Sequence, residues 1–431
     1  MDKKNNRHKV VIVGGGAAGL ELATRLGKKL GKKNQAQITL LDGSHTHIWK
    51  PLLHEIAAGT LDETEKVEYL AQAYRAGFRF RLGRMDGIDR SKRQISVAPT
   101  FSDSGEELIP RRTFNYDTLV MAVGSVSNTF NIEGVDEHCQ FLDSTSEAFS
   151  FQKKLVETYI KTHVSKKSKL SVAIIGAGAT GVELSAQLHE VAKTLGMYGL
   201  DTIKNVQITI IEASPRLLPA LPERLSMATQ QQLSHLGIEL RLGCRVVEVT
   251  SEGIKTQDGE LIPADLRVWA AGIKAPEWFK NLDGLEINSI NQLVVAQTLQ
   301  TSDDSVFALG DCAACEWQGH EGNVPPRAQA SHQQASTLAK SIINRVRNNG
   351  ELKEFAYHDY GSLVSLGRFS TVGNLMGNLM GTVSIGGLIA RVVYLSLYKM
   401  HQVAVHGYYR TAMLTLSNLF RHSVYRRIKL H

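Results

Sequence analysis

Short apolar runs and the breaks between them divide the chain before any chemistry is considered. Val10–Val13 and Val172–Ile175 are runs of apolar, mostly β-branched residues, each broken at once by glycine and followed by an alanine- and leucine-rich stretch. Such a run reads as a buried strand and the stretch behind it as a helix. QITLLD (37–42) and QITIIE (207–212) read as second strands, each ending in an acid. YDTLVMAVG (116–124) and ADLRVWAAG (264–272) are later strands ending in glycine, and TSDDSVFALGD (301–311) is a further one. Near the C-terminus, Ile389, Val393, Leu397, Met400 and Ala404 recur at helical spacing, and Met413, Leu416 and Phe420 do so again. This predicts a pair of amphipathic helices. The longest uncharged stretch, 369–390, carries five glycines and two asparagines and is too polar for a spanning helix.

The pattern is a repeat. VVIVGGGAAGLEL (10–22) and VAIIGAGATGVEL (172–184) agree at eight positions, 162 residues apart. Each carries GxGxxG between a strand and a helix, the context that gives the motif meaning. Gly14 and Gly176 allow the tight turn, Gly16 and Gly178 let backbone approach a pyrophosphate, and Gly19 and Gly181 let helix and strand pack closely. Asp42 and Glu212 then sit where an acid accepts from a ribose 2′-OH and repels a 2′-phosphate. Both lie farther from the first glycine than the usual ~20 residues, which longer intervening segments explain. Gly124 and Gly272 end the matching later strands. The fold class is therefore α/β, with two Rossmann-like dinucleotide-binding domains.

Composition adds one thing. The net charge of +7 is concentrated at one end: residues 360–431 hold eight Lys or Arg and no Asp or Glu, and the other 359 residues hold 41 basic and 42 acidic side chains. A basic, amphipathic tail fits an anionic membrane surface. It carries no nucleic-acid recognition motif beyond charge, so no nucleic-acid partner is expected. The opening MDKKNNRHK leads into an apolar run too short for a signal sequence, and four cysteines make no disulfide scaffold, so a reduced, cytosolic environment is expected.

Further motifs carry a resemblance. HTHIWKPLLHEIAAG (45–59), WAAGIKAP (269–276), GDCAAC (310–315) and PPRAQASHQQA (325–335) are similar to the type II NADH:quinone oxidoreductases, with most similarity to enterobacterial-type members. The resemblance runs from the first strand to the final residues. It implies FAD on the first glycine loop, NADH on the second, and reduction of membrane quinone without proton pumping. It implies an FAD domain in two parts (1–140 and 286–358) around an NADH domain (141–285). Residues 359–431 would be a helical segment anchoring the chain as a peripheral, monotopic protein on the cytoplasmic face of the inner membrane. A homodimer through the same segment is an open alternative use of it.

The resemblance also places residues. Gly310 and Asp311 fall near the flavin's ribityl–phosphate region, although Asp311 also suits a plain helix cap. Glu183 falls near the nicotinamide and flavin rings, and Glu21 occupies its slot in the first repeat. Gln329 and Gln333, four apart and so on one helix face, fall beside the isoalloxazine and the quinone. Lys50 could stabilise a reduced flavin anion or be a solvated loop charge. His45, His47 and His54 lack metal-ligand spacing and no metal is expected. Cys312 and Cys315 have redox-pair spacing, which keeps a flavin disulfide or small-acceptor reductase as an alternative, although two ordinary helix cysteines explain them as well.

Overall fold

A computed structural model of the chain describes residues 7–61, 66–102, 104–164, 169–196, 206–347, 350–365, 371–377 and 381–424. Two parallel sheets organise it. In the first, His8–Val13 lies between Ala36–Asp42 and Thr118–Met121, with Arg79–Leu82 and Val306–Ala308 at the edges. In the second, Leu170–Ile175 lies between Val206–Glu212 and Leu266–Trp269, with Glu239–Leu242 outside. Both central strands are buried along their apolar runs, as strands covered on two faces must be. The repeat is thus structural: Val10 faces Thr118 in the first sheet as Val172 faces Leu266 in the second.

Chain order and space differ at one point that matters for function. Val306–Ala308 follows the second sheet in sequence but pairs with Thr118–Met121 of the first. Val126–Ser127 and Ile273–Lys274, just past the two strand-ending glycines, pair antiparallel and tie the halves together. The short helix Leu53–Ala57 belongs to the first half but packs on Thr145–Val164 and Ala179–Gly196 of the second.

The C-terminal segment is not helical throughout. Gly361–Ser365, Thr371–Gly377 and Gly381–Gly386 form a three-stranded antiparallel sheet, and only then come the helices Gly387–His406 and Tyr408–Val424. The glycines and β-branched residues that break the uncharged stretch are the reason: glycine is poor in helices, whereas Val372, Val383 and Ile385 suit a pleat. No helix among the described residues is long and apolar enough to cross a membrane.

The two helices turn an unusual face to the body. In the last turns of Gly387–His406, His401, Gln402 and Val405 are buried, whereas Met400 is exposed and Leu397 and Ala404 are half-buried. On Tyr408–Val424, Tyr409, Met413, Leu416 and Phe420 follow i, i+4, i+7, i+11 spacing and are all exposed. A helix pair that hides histidine and glutamine while showing a stripe of large apolar side chains is inverted for water.

Candidate dinucleotide and redox site

The glycine loops are built alike. Gly14 N–H donates to Leu41 O and Gly176 N–H to Ile211 O, each at 2.8 Å. Gly14 and Gly176 have φ of +101° and +109°, in the left-handed region that favours glycine. A Cβ on Gly19 would meet Gly14 O at 1.9 Å, and one on Gly181 would meet Gly176 O at 2.0 Å. Those glycines serve packing. The middle glycines differ: a Cβ on Gly178 would meet nothing within 4 Å, and one on Gly16 only Ala122 O at 3.9 Å. Open space in front of the middle glycine of both loops fits a pyrophosphate that backbone must approach.

The strand-end acids hold the loops. Asp42 accepts from Gly15 N at 2.6 Å and Ser44 N at 2.7 Å; Glu212 accepts from Ala177 N at 2.7 Å and Ser214 N at 2.8 Å. Each oxygen keeps a further lone pair, so the same carboxylate can also accept from a ribose hydroxyl. Burial raises the Asp42 pKa, and the two backbone N–H groups oppose that rise.

Lys50, Ser125 and Asp311 form a second group. Lys50 Nζ donates to Ser125 O at 2.8 Å, Ser125 Oγ donates to Asp311 Oδ2 at 2.9 Å, and Asp143 Oδ1 stands 4.0 Å from the lysine. Gly310 has φ +75° and its N–H donates to Gln334 Oε1 at 2.7 Å. Gly124 and Gly272 also have positive φ, +75° and +65°. Glu183, on the helix behind the second glycine loop, is buried and stands 3.5 Å from His54 Nδ1. Burial pushes the His54 pKa down to about 4, and its Nε2 is a buried polar atom with no hydrogen-bond partner among the described residues. Lys50 and His54 lie on consecutive turns, so one short segment touches Asp311's group with one side chain and Glu183 with the other.

Gln329 and Gln333 do share a helix face, and both amides are engaged. Gln329 Nε2 donates to Asp359 Oδ1 at 3.0 Å and Gly361 O at 2.9 Å; Gln333 exchanges two bonds with the His358 backbone, at 2.8 and 3.0 Å. They clip residues 358–361 onto the helix Ala328–Val346. Sequence reasoning missed Gln334, the residue that reaches Gly310. Its signal was present: Ala330, Gln334, Ala335 and Leu338 mark the buried face at helical spacing.

The cysteine pair is not arranged for exchange. Cys312 ends the 3₁₀ helix Gly310–Cys312 and Cys315 ends the strand Ala313–Cys315, so only the first is a helix residue. Both are buried free thiols, and burial raises their pKa values to about 12 and about 11. A buried, protonated thiol is a poor nucleophile. His47, in the short strand Thr46–His47, and His54, in the helix Leu53–Ala57, are both buried, and among the described residues no group could hold a metal ion.

Two parallel sheets, each with an open glycine cradle, are bridged by a segment carrying Lys50 and His54. Residues 8–335 match the family described as Pyridine nucleotide-disulphide oxidoreductase. The chain is 44% identical to the type II NADH:quinone oxidoreductase of Haemophilus influenzae, over 98% of this chain and 99% of that protein. It is 31% identical to the Staphylococcus aureus enzyme of the same name, over 86% and 90%. The chain belongs to the type II NADH:quinone oxidoreductases. In fold it is similar to NDH2 of Plasmodium falciparum, solved in complex with NADH: TM-score 0.82, 19% identity, covering 99% of this chain and 100% of that one. FAD is the bound cofactor of this enzyme and NADH its electron donor.

Proposed function

We propose that the chain oxidises NADH at the second glycine loop and reduces a quinone delivered from a membrane surface, with FAD held by the first loop between them. The balanced reaction is NADH + H⁺ + quinone → NAD⁺ + quinol. FAD, when bound, supplies the acceptor for the hydride and the donor of the electron pair. The protein's part is to bind, orient and supply charge and protons. The observation that carries this reading is the bridge from Lys50 to His54, with Asp311's group at one end and Glu183 at the other.

In this reading Gly14, Gly16, Gly19 and Asp42 hold the FAD diphosphate and ribose, and Gly124, Gly310 and Asp311 complete that site. Gly176, Gly178, Gly181, Glu212 and Gly272 receive NADH. Glu212 disfavours NADPH, because its carboxylate would face the 2′-phosphate. Lys50 places a cation beside the redox centre, where it stabilises negative charge. Glu183 orients the reacting rings and handles a proton. Gln329 and Gln333 border the quinone by fixing residues 358–361 at the edge of its approach. The domain boundaries at 140, 285 and 358 follow the same assignment.

The C-terminal helices dock the enzyme on the cytoplasmic face of the inner membrane. The outward stripe of Tyr409, Met413, Leu416 and Phe420 and the acid-free tail support this. A quinone lives in the bilayer, so a docking surface joined to the redox half is what the substrate needs. Grouping the chain with the enterobacterial-type members rests on the motifs at 45–59, 269–276, 310–315 and 325–335. Steady-state turnover tests the whole reading. Fast turnover of a short-chain quinone with NADH, slow with NADPH and none with a disulfide is expected. Disulfide turnover with no quinone turnover would overturn it.

A further inference from the structure

A cavity of about 430 Å³ opens between three parts of the chain that are far apart in sequence. Lys28 and Lys32 come from the π-turn Gly27–Gly31 and its end, Tyr74 and Arg75 from the last turns of the helix Tyr69–Ala76, and His406 and Arg410 from the corner joining the two C-terminal helices. Four basic side chains, Lys28, Lys32, Arg75 and Arg410, thus line one concavity. No carboxylate among the described residues forms an ion pair with any of them, and the one acid that acts on Arg75, Glu68, does so from a distance. Arg75's near partner is the neutral amide of Gln72, at 3.1 Å.

The concavity is held by the fold rather than by chance side-chain positions. A Cβ on Gly27 would meet Ala76 O at 2.7 Å, and one on Gly31 would meet Gly77 O at 1.9 Å. The π-turn backbone is therefore pressed on the end of the neighbouring helix, which sets Lys28 and Lys32 beside Arg75. Gln72 Nε2 donates to both Thr24 Oγ1 and Val405 O, at 3.1 and 2.7 Å, and so pins the helix corner over the third side.

Like charges gathered this way repel. Partial burial, then Lys32, Arg25 and Arg410, lower the Lys28 pKa. Burial, then Arg75, His401 and Arg410, lower that of His406 to about 4, so it stays neutral at pH 7 and serves as a hydrogen-bond partner. A ligand with concentrated negative charge would relieve the repulsion, and a planar guanidinium pair with two ammonium groups matches a phosphate's oxygens. Carboxylates offer fewer acceptors for this many donors.

We infer that this cavity is a binding site for a phosphate group, carried by an anionic lipid headgroup or by a soluble phosphate compound. Its position at the corner of the docking helices rests, for the lipid source alone, on the membrane reading above. Occupancy would fasten the helix corner to the FAD half.

The test uses the full-length flavoprotein and a Lys32→Gln/Arg75→Gln/Arg410→Gln variant. Flavin content and turnover of a water-soluble quinone should match wild type, since none of the three residues belongs to the redox site. Binding is measured to phosphatidylcholine vesicles with and without phosphatidylglycerol, and melting temperature with and without inorganic phosphate. Wild type should prefer the anionic vesicles, and the variant should lose roughly a hundredfold of that affinity while binding zwitterionic vesicles equally. Equal vesicle binding, with phosphate raising the melting temperature of wild type only, would assign the site to a soluble ligand. If wild type binds neither vesicle, the docking reading fails and the phosphate arm alone decides. If neither the anionic preference nor the phosphate effect depends on these cations, the site does not exist. Lys28→Gln alone, at an exposed position, repeats the test should the triple variant be unstable.

Discussion

His54 Nδ1 stands 3.5 Å from Glu183 Oε2, with both side chains buried, although the two residues come from different halves of the molecule. Burial keeps His54 uncharged at pH 7, so His54 itself brings no fixed positive charge to the glutamate. Glu183→Gln preserves shape and removes the proton-handling group. The flavin should be retained and quinone-linked turnover should fall by about 10²–10⁴ if the carboxylate acts in proton transfer. A change in melting temperature with turnover intact would reduce Glu183 to a packing residue.

The middle glycines separate the two nucleotide sites. Neither a Cβ on Gly16 nor one on Gly178 would clash with protein, so a first side-chain carbon is sterically tolerated at both positions. It would occupy the space a pyrophosphate needs. Gly16→Val should purify folded but without flavin absorbance. Gly178→Val should keep its flavin while the KM for NADH rises by at least roughly tenfold, the loss of about 1.4 kcal/mol of binding. Exchanged outcomes would exchange the two cofactors between the loops.

Both glycine loops were legible because their tight turns and close helix–strand packing demand glycine at fixed spacing. Asp42 and Glu212 were legible as strand-end acids. Their grip on Gly15 and Ala177 was not, because a side chain's bond to a loop N–H leaves no trace in spacing. Contacts across long sequence separation were invisible for the same reason. Glu21 accepts from His332 Nδ1 at 2.7 Å and from His401 Nδ1 at 2.8 Å, and nothing in the repeat predicts those partners. Gln329 and Gln333 come from the AQxxxQ motif, whose spacing puts both on one helix face; Gln334 lies outside that motif and reaches Gly310 from the helix's buried face. The strands in residues 361–386 were not legible because glycines interrupt the apolar/polar alternation that marks a strand.

Buried histidines set the acid limit of stability. Burial lowers the pKa of His47 from 6.5 to about 3 and those of His54 and His406 from 6.5 to about 4. As pH falls below 6.5 the unfolded chain takes up these protons and the folded chain does not, so folding weakens until the folded pKa values are reached. Each histidine contributes a slope of up to about 1.4 kcal/mol per pH unit across that window, and nothing above it. Glu21 acts in the same direction at lower pH. Burial would raise its pKa, but its bonds from His332 and His401 hold it below 4.5, so its contribution is lost as pH drops through the folded value. The melting temperature should therefore be flat above about pH 7 and fall steeply between roughly pH 6 and 4. His47→Gln should make that fall shallower by one proton's worth, and an unchanged slope would show that His47 is not buried neutral.

The outward stripe on Tyr408–Val424 offers the last test. Phe420 is 68% and Leu416 49% exposed, so changing them disturbs little inside the protein. Burying such side chains in a lipid interface is worth about 1.5–3 kcal/mol each. Leu416→Glu/Phe420→Glu adds two charges that the interface disfavours. Partition onto zwitterionic vesicles should fall by at least roughly a hundredfold. Flavin content and turnover of a short-chain, soluble quinone should not change. Turnover of a long-chain quinone confined to vesicles should fall with the partition, because delivery and not chemistry has been removed. A variant that keeps its vesicle binding but changes from dimer to monomer would make the stripe a contact between subunits. The substrate would then have to reach the flavin by a surface other than this one, and the acid-free tail would be left as the only feature drawing the enzyme to the membrane.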